Sequence, residues 1–375
     1  MKRIFFLLFI AQISIAALAQ NKYLYLQNTP ENYKAFGLIK DTIKSWEGGS
    51  RISGNNNSNQ CWYYDTHLDD GTNIMISFML RDGGSIKKKI TPYISVDLVF
   101  ADGRKVGRTI RCMPQEFSSS KEKCDIHFGK NFMSGDLKNY VIHIDDPVIK
   151  LDISFEKTVE SWRPNTGFLN FGDTSSYCGW LVPVPEGNTK VSYTVFGKTY
   201  VSSGICYHDN TWWSKSPRKQ INRWGWSASK VGPYKVITYE ITAVKKYKKE
   251  QQLFFAVFKD GKLVVDDANK VSVLKSAGII QPIGKKPISN TSMFTYTDTT
   301  KTYELTLEKN RLLLSSTPIK GKLMRAFVKF FTGFDGAYYR IRGNANLKVY
   351  QNNCVQESYR SDKSMWELFY FDNPY

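Results

Sequence analysis

An all-β protein made of two copies of one β-domain follows from three observations on this sequence. Period-two apolar segments run through most of its 375 residues. Turn residues separate them, with 26 Gly and 13 Pro in the chain. One hairpin motif also occurs twice. An aromatic content of 14% agrees, since aromatic side chains suit pleated surfaces. The length exceeds what one hydrophobic core usually organises, so two domains are expected.

The N-terminus is read first. Lys2 and Arg3 precede an apolar stretch, Ile4 to Leu18, broken only by Gln12 and Ser14. Ala17-Leu18-Ala19 then supplies the small-x-small pattern that signal peptidase reads. Residues 1–19 are therefore expected to be an export signal cleaved before Gln20. The stretch is short for a span of about 20 residues, which argues against a transmembrane anchor. Loss of Lys2 and Arg3 would lower the formal net charge from +18 to +16. The expected location is periplasmic or secreted.

An oxidising compartment changes how the six cysteines read. Cys112 and Cys124 flank a polar loop between strand-like runs, and Cys178 with Cys206 would staple a second hairpin. Buried free thiols are the alternative. No two Cys show C-x2-4-C spacing, and the four histidines (His67, His127, His143, His208) are scattered, so no metal site is expected.

The repeat is V-F-x-D-G-basic-x-V, at Val99 to Val106 and again at Val257 to Val264. Each copy reads as strand, Asp-Gly turn and returning strand. A Trp-rich element precedes each, Trp62-Tyr63-Tyr64-Asp65 in one half and Trp224-Gly225-Trp226 in the other, with alternating runs at Ile74–Leu80 and Tyr234–Val244 between. Three markers in the same order predict an internal duplication. Further strands are expected at Tyr93–Phe100, Tyr140–Ile144, Ile149–Phe155, Lys190–Phe196, Gln252–Phe258, Thr302–Leu307, Ala337–Ile341 and Asn346–Tyr350. Turns are expected at Asp82-Gly83-Gly84, Glu186-Gly187-Asn188 and Asp335-Gly336. Almost no segment carries a 3.6-residue period. Arg163–Ser176 is low in strand signal, which sets the expected domains at 20–180 and 181–375. Tight-turned antiparallel strands suit barrels or sandwiches.

The run Tyr207-His208-Asp209-Asn210-Thr211-Trp212, followed by Trp224-Gly225-Trp226, resembles the hydroxyneurosporene synthase and AttH-like family. The family's first-half hallmark is matched by Trp62-Tyr63-Tyr64-Asp65. The resemblance spans most of the chain from about Trp62, and implies two lipocalin-like barrels in tandem. It also implies cofactor-independent chemistry, since the group includes carotenoid hydratases and some relatives are Diels–Alderases. Asn210 and Thr211 stand where the family pattern has a second His and an Asn. Ser227, Ala228 and Ser229 stand where hydratases carry a carboxylate.

The residues themselves offer no G-x-S-x-G elbow and no phosphate loop, and no cofactor is expected. His208 and Asp209 are the candidate acid–base pair; as strand neighbours they would face opposite sides. Burial of Asp209 would raise its pKa and keep it protonated. Trp62, Tyr64, Asp65, Tyr207, Asn210, Trp212, Trp224 and Trp226 are the candidate ligand-binding residues. Tryptophans at strand spacing also suit a filled core, and His208 also suits a bond to a backbone carbonyl. His67 reads as a solvated turn residue.

The expected ligand is an apolar isoprenoid, polyene or lipid, either turned over by hydration or cyclisation or simply bound. A filled-barrel envelope protein, structural or adhesive, is the third reading. Lys87-Lys88-Lys89 and Lys245 to Lys249 are the densest basic runs. Export argues against nucleic acid; an anionic membrane surface or a charge-protected sheet edge suits them better.

Overall fold

A computed structural model describes residues 23–52, 58–81, 90–317, 319, 321–332 and 334–371. The expected export signal, the turn at 82–84 and Lys87–Lys89 lie outside the described residues. The first sheet takes its strands from β1 (Leu24–Leu26), β2 (Asn59–Leu68), β3 (Asn73–Met79), β4 (Tyr93–Val99) and β5 (Lys105–Arg111). It continues through β6 (Phe117–Ser119), β7 (Cys124–Phe128), β8 (Asn131–Gly135), β9 (Asn139–Asp145) and β10 (Ile149–Lys157). It ends with β11 (Phe168–Phe171), β12 (Asp173–Val195) and β13 (Lys198–Trp213). A short helix, α1 (Pro30–Ala35), follows β1 and is capped by Thr29.

The second sheet follows with β14 (Ile221–Val231), β15 (Tyr234–Ala243), β16 (Gln251–Lys259), β17 (Lys262–Val265) and β18 (Val271–Lys275). A small separate hairpin, β19 (Gly278–Ile280) with β20 (Pro287–Ser289), comes next. Then β21 (Thr291–Thr297), β22 (Lys301–Ser316), helix α2 (Lys322–Thr332), β23 (Ala337–Gln351) and β24 (Cys354–Tyr370) complete the chain.

The duplication is visible in the strand order. The first sheet runs β5-β4-β3-β2-β13-β12 and onward; the second runs β17-β16-β15-β14-β24-β23 and onward. In each, a four-strand meander places its first strand against the last strand of its own half. Each V-F-x-D-G motif forms the outermost hairpin of its meander, β4–β5 and β16–β17. Asp260 and Gly261 both take positive φ (49° and 82°), the backbone that a two-residue hairpin turn requires. Each sheet is antiparallel throughout and curls into a lipocalin-like barrel with alternate side chains inside.

Four expectations need correction. Sequence reading ended the first domain at 180, yet β12 crosses that point and pairs with β10, while β13 pairs with β2. The change of sheet falls instead between Trp213 and Ile221. Glu186-Gly187-Asn188 is no turn: it lies within β12, where the register slips at a bulge. The near absence of helical period overlooked α2, whose sequence KLMRAFVKFFT is amphipathic.

The expected disulfides are not formed either, and all six cysteines are free thiols. Cys178 lies opposite Trp213, whereas Cys206 lies opposite Gly187, nine positions along β12. At roughly 3.3 Å per residue that is far beyond bridging distance.

Two packed interiors and one seam make up the core. Trp62, Tyr64, Phe78, Phe128, Phe155 and their neighbours fill the first barrel. Phe255, Tyr303, Leu305, Ile341 and Trp366 belong to the second. Between the barrels, Trp162, Trp180, Tyr207 and Trp213 from the first sheet and its flanks meet Trp226, Ile237, Tyr239 and Phe254 from the second.

Candidate functional site

Strand alternation decides where each candidate residue goes. On β13, His208 turns into the first barrel, where its ring meets the edges of Tyr140 and Phe155 at 5.0 and 6.2 Å. Its Nδ1 lies 2.7 Å from the Tyr63 carbonyl and donates to it. Burial lowers its pKa from 6.5 to about 4, so the ring is neutral. Asn210 shares that side, accepting from Gln60 at 2.8 Å and donating to Gly48 and Gly49 carbonyls. Tyr64 is inside as well, its hydroxyl 2.8 Å from Thr189 Oγ1. Trp62 is fully buried there and bonds the Gly48 carbonyl at 3.3 Å. These four residues are packing and tying elements of a filled interior.

Asp209 and Tyr207 face the other way, into the seam. Tyr207 donates to Asp209 Oδ2 at 2.8 Å, Trp180 Nε1 donates to the same oxygen at 3.2 Å, and Trp226 Nε1 donates to the Tyr207 hydroxyl at 3.2 Å. Burial raises the Asp209 pKa from 3.8 to about 7, as expected for an acid among indoles. An indole N–H only donates, so this chain fixes ring positions and cannot relay a proton. Trp212 packs edge-on against Phe168 at 5.5 Å, and Trp224 sits on Phe369 and Phe371. These rings make protein contacts, Trp226 in the seam, and of the three only Trp224 and Trp226 also border a cavity.

Asp65 also points into the seam. It forms an ion pair with Arg340 of β23, both buried. Arg340 further donates to the Tyr63 hydroxyl at 2.8 Å and to Glu367 at 3.4 Å, and Tyr338 donates to Glu367 at 2.7 Å. Burial holds the Glu367 carboxyl above its ordinary range. His67, expected in a solvated turn, stands on β2 and is lowered to about 4, chiefly by burial.

The cavity is elsewhere, inside the second barrel. It encloses about 410 Å³, within the range that small-molecule sites occupy. Gly225 lines it, paired in register with Glu240 on β15 and Leu368 on β24, and a Cβ there would come within 2.9 Å of Leu368 Cδ2. Three charges gather on that wall. Arg223 Nη2 donates to Glu240 Oε1 at 3.2 Å, and Lys275 Nζ bonds Glu240 Oε2. Burial holds the Lys275 ammonium below the ordinary lysine range. Ser227, Thr238, Thr242, Ser289 and Ser292 add hydroxyls; Phe294, Leu307 and Leu368 add apolar surface.

Of the candidate residues, only Trp224 and Trp226 border this cavity, and His208 and Asp209 do not reach it. A carboxylate does line the cavity: Glu240, on the strand next to the W-G-W element. Its signal was in the sequence: a lone Glu amid the uniformly buried run of β15. Arg223, immediately before Trp224, carried no such mark. Among the described residues no three His, Cys, Asp or Glu side chains come together as metal ligands.

The fold is shared with solved structures. CghA, solved with Sch210972, superposes with a TM-score of 0.61 at 12% identity, covering 89% of this chain and 96% of its own. A putative AttH from Nitrosomonas europaea gives 0.55 at 11%, with 83% and 92% covered. Kievitone hydratase from Nectria haematococca gives 0.52 at 9%, with 84% and 90% covered. At such identities the likeness is one of fold. No curated protein matches the sequence. The Diels-Alderase-like family model matches residues 53–307, which takes in the first barrel from β2 onward and the second as far as β22, and the chain belongs to that family.

Proposed function

We propose that the second barrel binds a small molecule with a polar head and an apolar body, and cyclises or hydrates it without a cofactor. The observation that carries this reading is the Arg223–Glu240–Lys275 cluster set in the wall of a 410 Å³ cavity. Arg223 and Lys275 are donors held in place by Glu240, so they can meet a carbonyl or carboxylate oxygen without reorganising. An isoprenoid or polyene chain would lie along Phe294, Leu307 and Leu368. Cyclisation then needs only a folded, oriented substrate, for which effective molarity supplies the rate. Export, resting on residues 1–19, belongs to the same proposal.

One observation favours a non-catalytic carrier as second reading. Glu240 is already engaged by two cations, which makes it an anchor and not a base.

The test is mass spectrometry of small molecules released from natively purified protein, wild type against Gly225→Leu and Glu240→Gln. Wild type should yield a bound molecule. Gly225→Leu, which adds a side chain to the lining, should lose it. Glu240→Gln should retain it while changing its selectivity toward anionic heads. Returned to the wild type, the substrate should give a product of equal mass for cyclisation, or heavier by one water for hydration; unchanged substrate supports the carrier. Wild type and Gly225→Leu both purifying empty would overturn the proposal.

A further inference from the structure

Helix α2 presents an apolar face to solvent. Leu323 is 89% exposed and Phe330 83%, and they sit seven residues apart, on one side of the helix. Met324 and Phe327 are exposed beside them. The opposite side docks on the barrel: Val328 packs against the seam cluster, and Arg325 and Lys329 pair with Asp335 at 2.6 and 3.0 Å.

A second apolar element lies next to it. Ile279, Ile280 and Ile283, on the β19–β20 hairpin and its tip, are all exposed. Arg325 Nη2 ties the helix to this hairpin by donating to the Gly284 carbonyl at 2.7 Å, and Lys286 joins the same Asp335 carboxylate at 2.9 Å. The hairpin is also cavity wall, since Gly278, Pro287 and Ser289 line the cavity.

Charge identifies the occupant. Over residues 278–289 and 321–336 the sequence holds five basic residues (Lys285, Lys286, Lys322, Arg325 and Lys329) against one acid, Asp335. An exposed Leu/Phe face on a basic helix is the pattern that lies flat in the headgroup region of a bilayer. Lys286 is buried on Asp335, and the remaining excess of cations on the helix and hairpin attracts anionic lipid, an attraction that falls away at high salt. We infer that α2 and the β19–β20 hairpin together form a docking face for an anionic lipid bilayer, beside the cavity of the second barrel.

Co-sedimentation with vesicles tests this, using the chain from Gln20, which keeps every described residue. Vesicles of phosphatidylglycerol and phosphatidylcholine should pull down the wild type, and phosphatidylcholine alone or high salt should not. Leu323→Glu with Phe330→Glu should weaken partitioning at least about tenfold, since two apolar side chains leave the bilayer and two negative charges face anionic lipid. Leu323→Ala with Phe330→Ala should lose less. Both pairs are at exposed positions, so circular dichroism and melting should match wild type. Wild type left in the supernatant, or a Glu variant that binds as well as wild type, would overturn the inference. So would wild-type dimers that the Glu variant converts to monomers with no vesicle binding in either. No ligand or turnover enters this test, so its failure leaves the cavity reading standing.

Discussion

Arg340 and Asp65 form a buried ion pair that crosses from β23 of one barrel to β2 of the other, with Arg340 fully shielded from water. Tyr63 and Glu367 take up further hydrogen-bonding capacity of the guanidinium. The pair sits in the seam, so both its formation and its loss concern the union of the two halves.

Replacing Asp65 by Asn keeps the shape and removes the main counter-charge of Arg340. Breaking one side of a buried pair costs about 3–5 kcal/mol. Asp65→Asn should therefore show a markedly lower urea midpoint. Adding Arg340→Met should restore part of the loss; a double variant weaker than the single would refute the ion-pair account.

Asp209 predicts a loss of stability with rising pH. Its folded-state pKa is raised from 3.8 to about 7, so its contribution is complete below pH 3.8 and is lost as pH rises through about 7. The upper bound is about 4 kcal/mol. Asp209→Asn should be more stable than wild type near pH 8 and lose that advantage near pH 4. Denaturant melts at the two pH values decide it.

His208 acts in the opposite sense. With its pKa lowered from 6.5 to about 4, the neutral ring contributes stability above pH 6.5 that disappears as pH falls toward 4. His67 shares this window. His208→Gln should flatten roughly half of the acid-side decline in melting temperature. An unchanged acid limb would show that the ring charges freely in the native state.

Gly179 tests the packing of Trp212. A Cβ there would lie 1.9 Å from the indole Cε2, so the ring must move. Gly179→Ala should cost at least about 1–3 kcal/mol, seen as a lower urea midpoint. Wild-type stability would mean that the indole has room to shift.

Local signals read well. The two Asp-Gly turns and the period-two runs predicted their hairpins because both depend only on neighbouring residues. The facing of Tyr207-His208-Asp209-Asn210 followed from alternation alone. What each face meets did not follow, because β2 and β13 from Cys206 onward are covered on both sides. Rings that a single-barrel picture sends into a lumen instead fill a core or close a seam. Register brings Arg223 and Glu240 together and the curl of the sheet brings Lys275 of β18 to them, and no spacing within one segment announces that. The bulged length of β12 likewise hid where one sheet gives way to the next.

The two-sided burial of β2 and of β13 from Cys206 onward has a further consequence for how such a molecule can be taken apart. A gene divided between codons 213 and 221 would yield two fragments, each complete in its own hydrogen-bonded sheet. Yet each would carry a naked greasy flank, one with Asp65 stripped of its arginine and the other with Arg340 left to Glu367 alone. Co-expression of the fragments should rescue solubility that neither has alone.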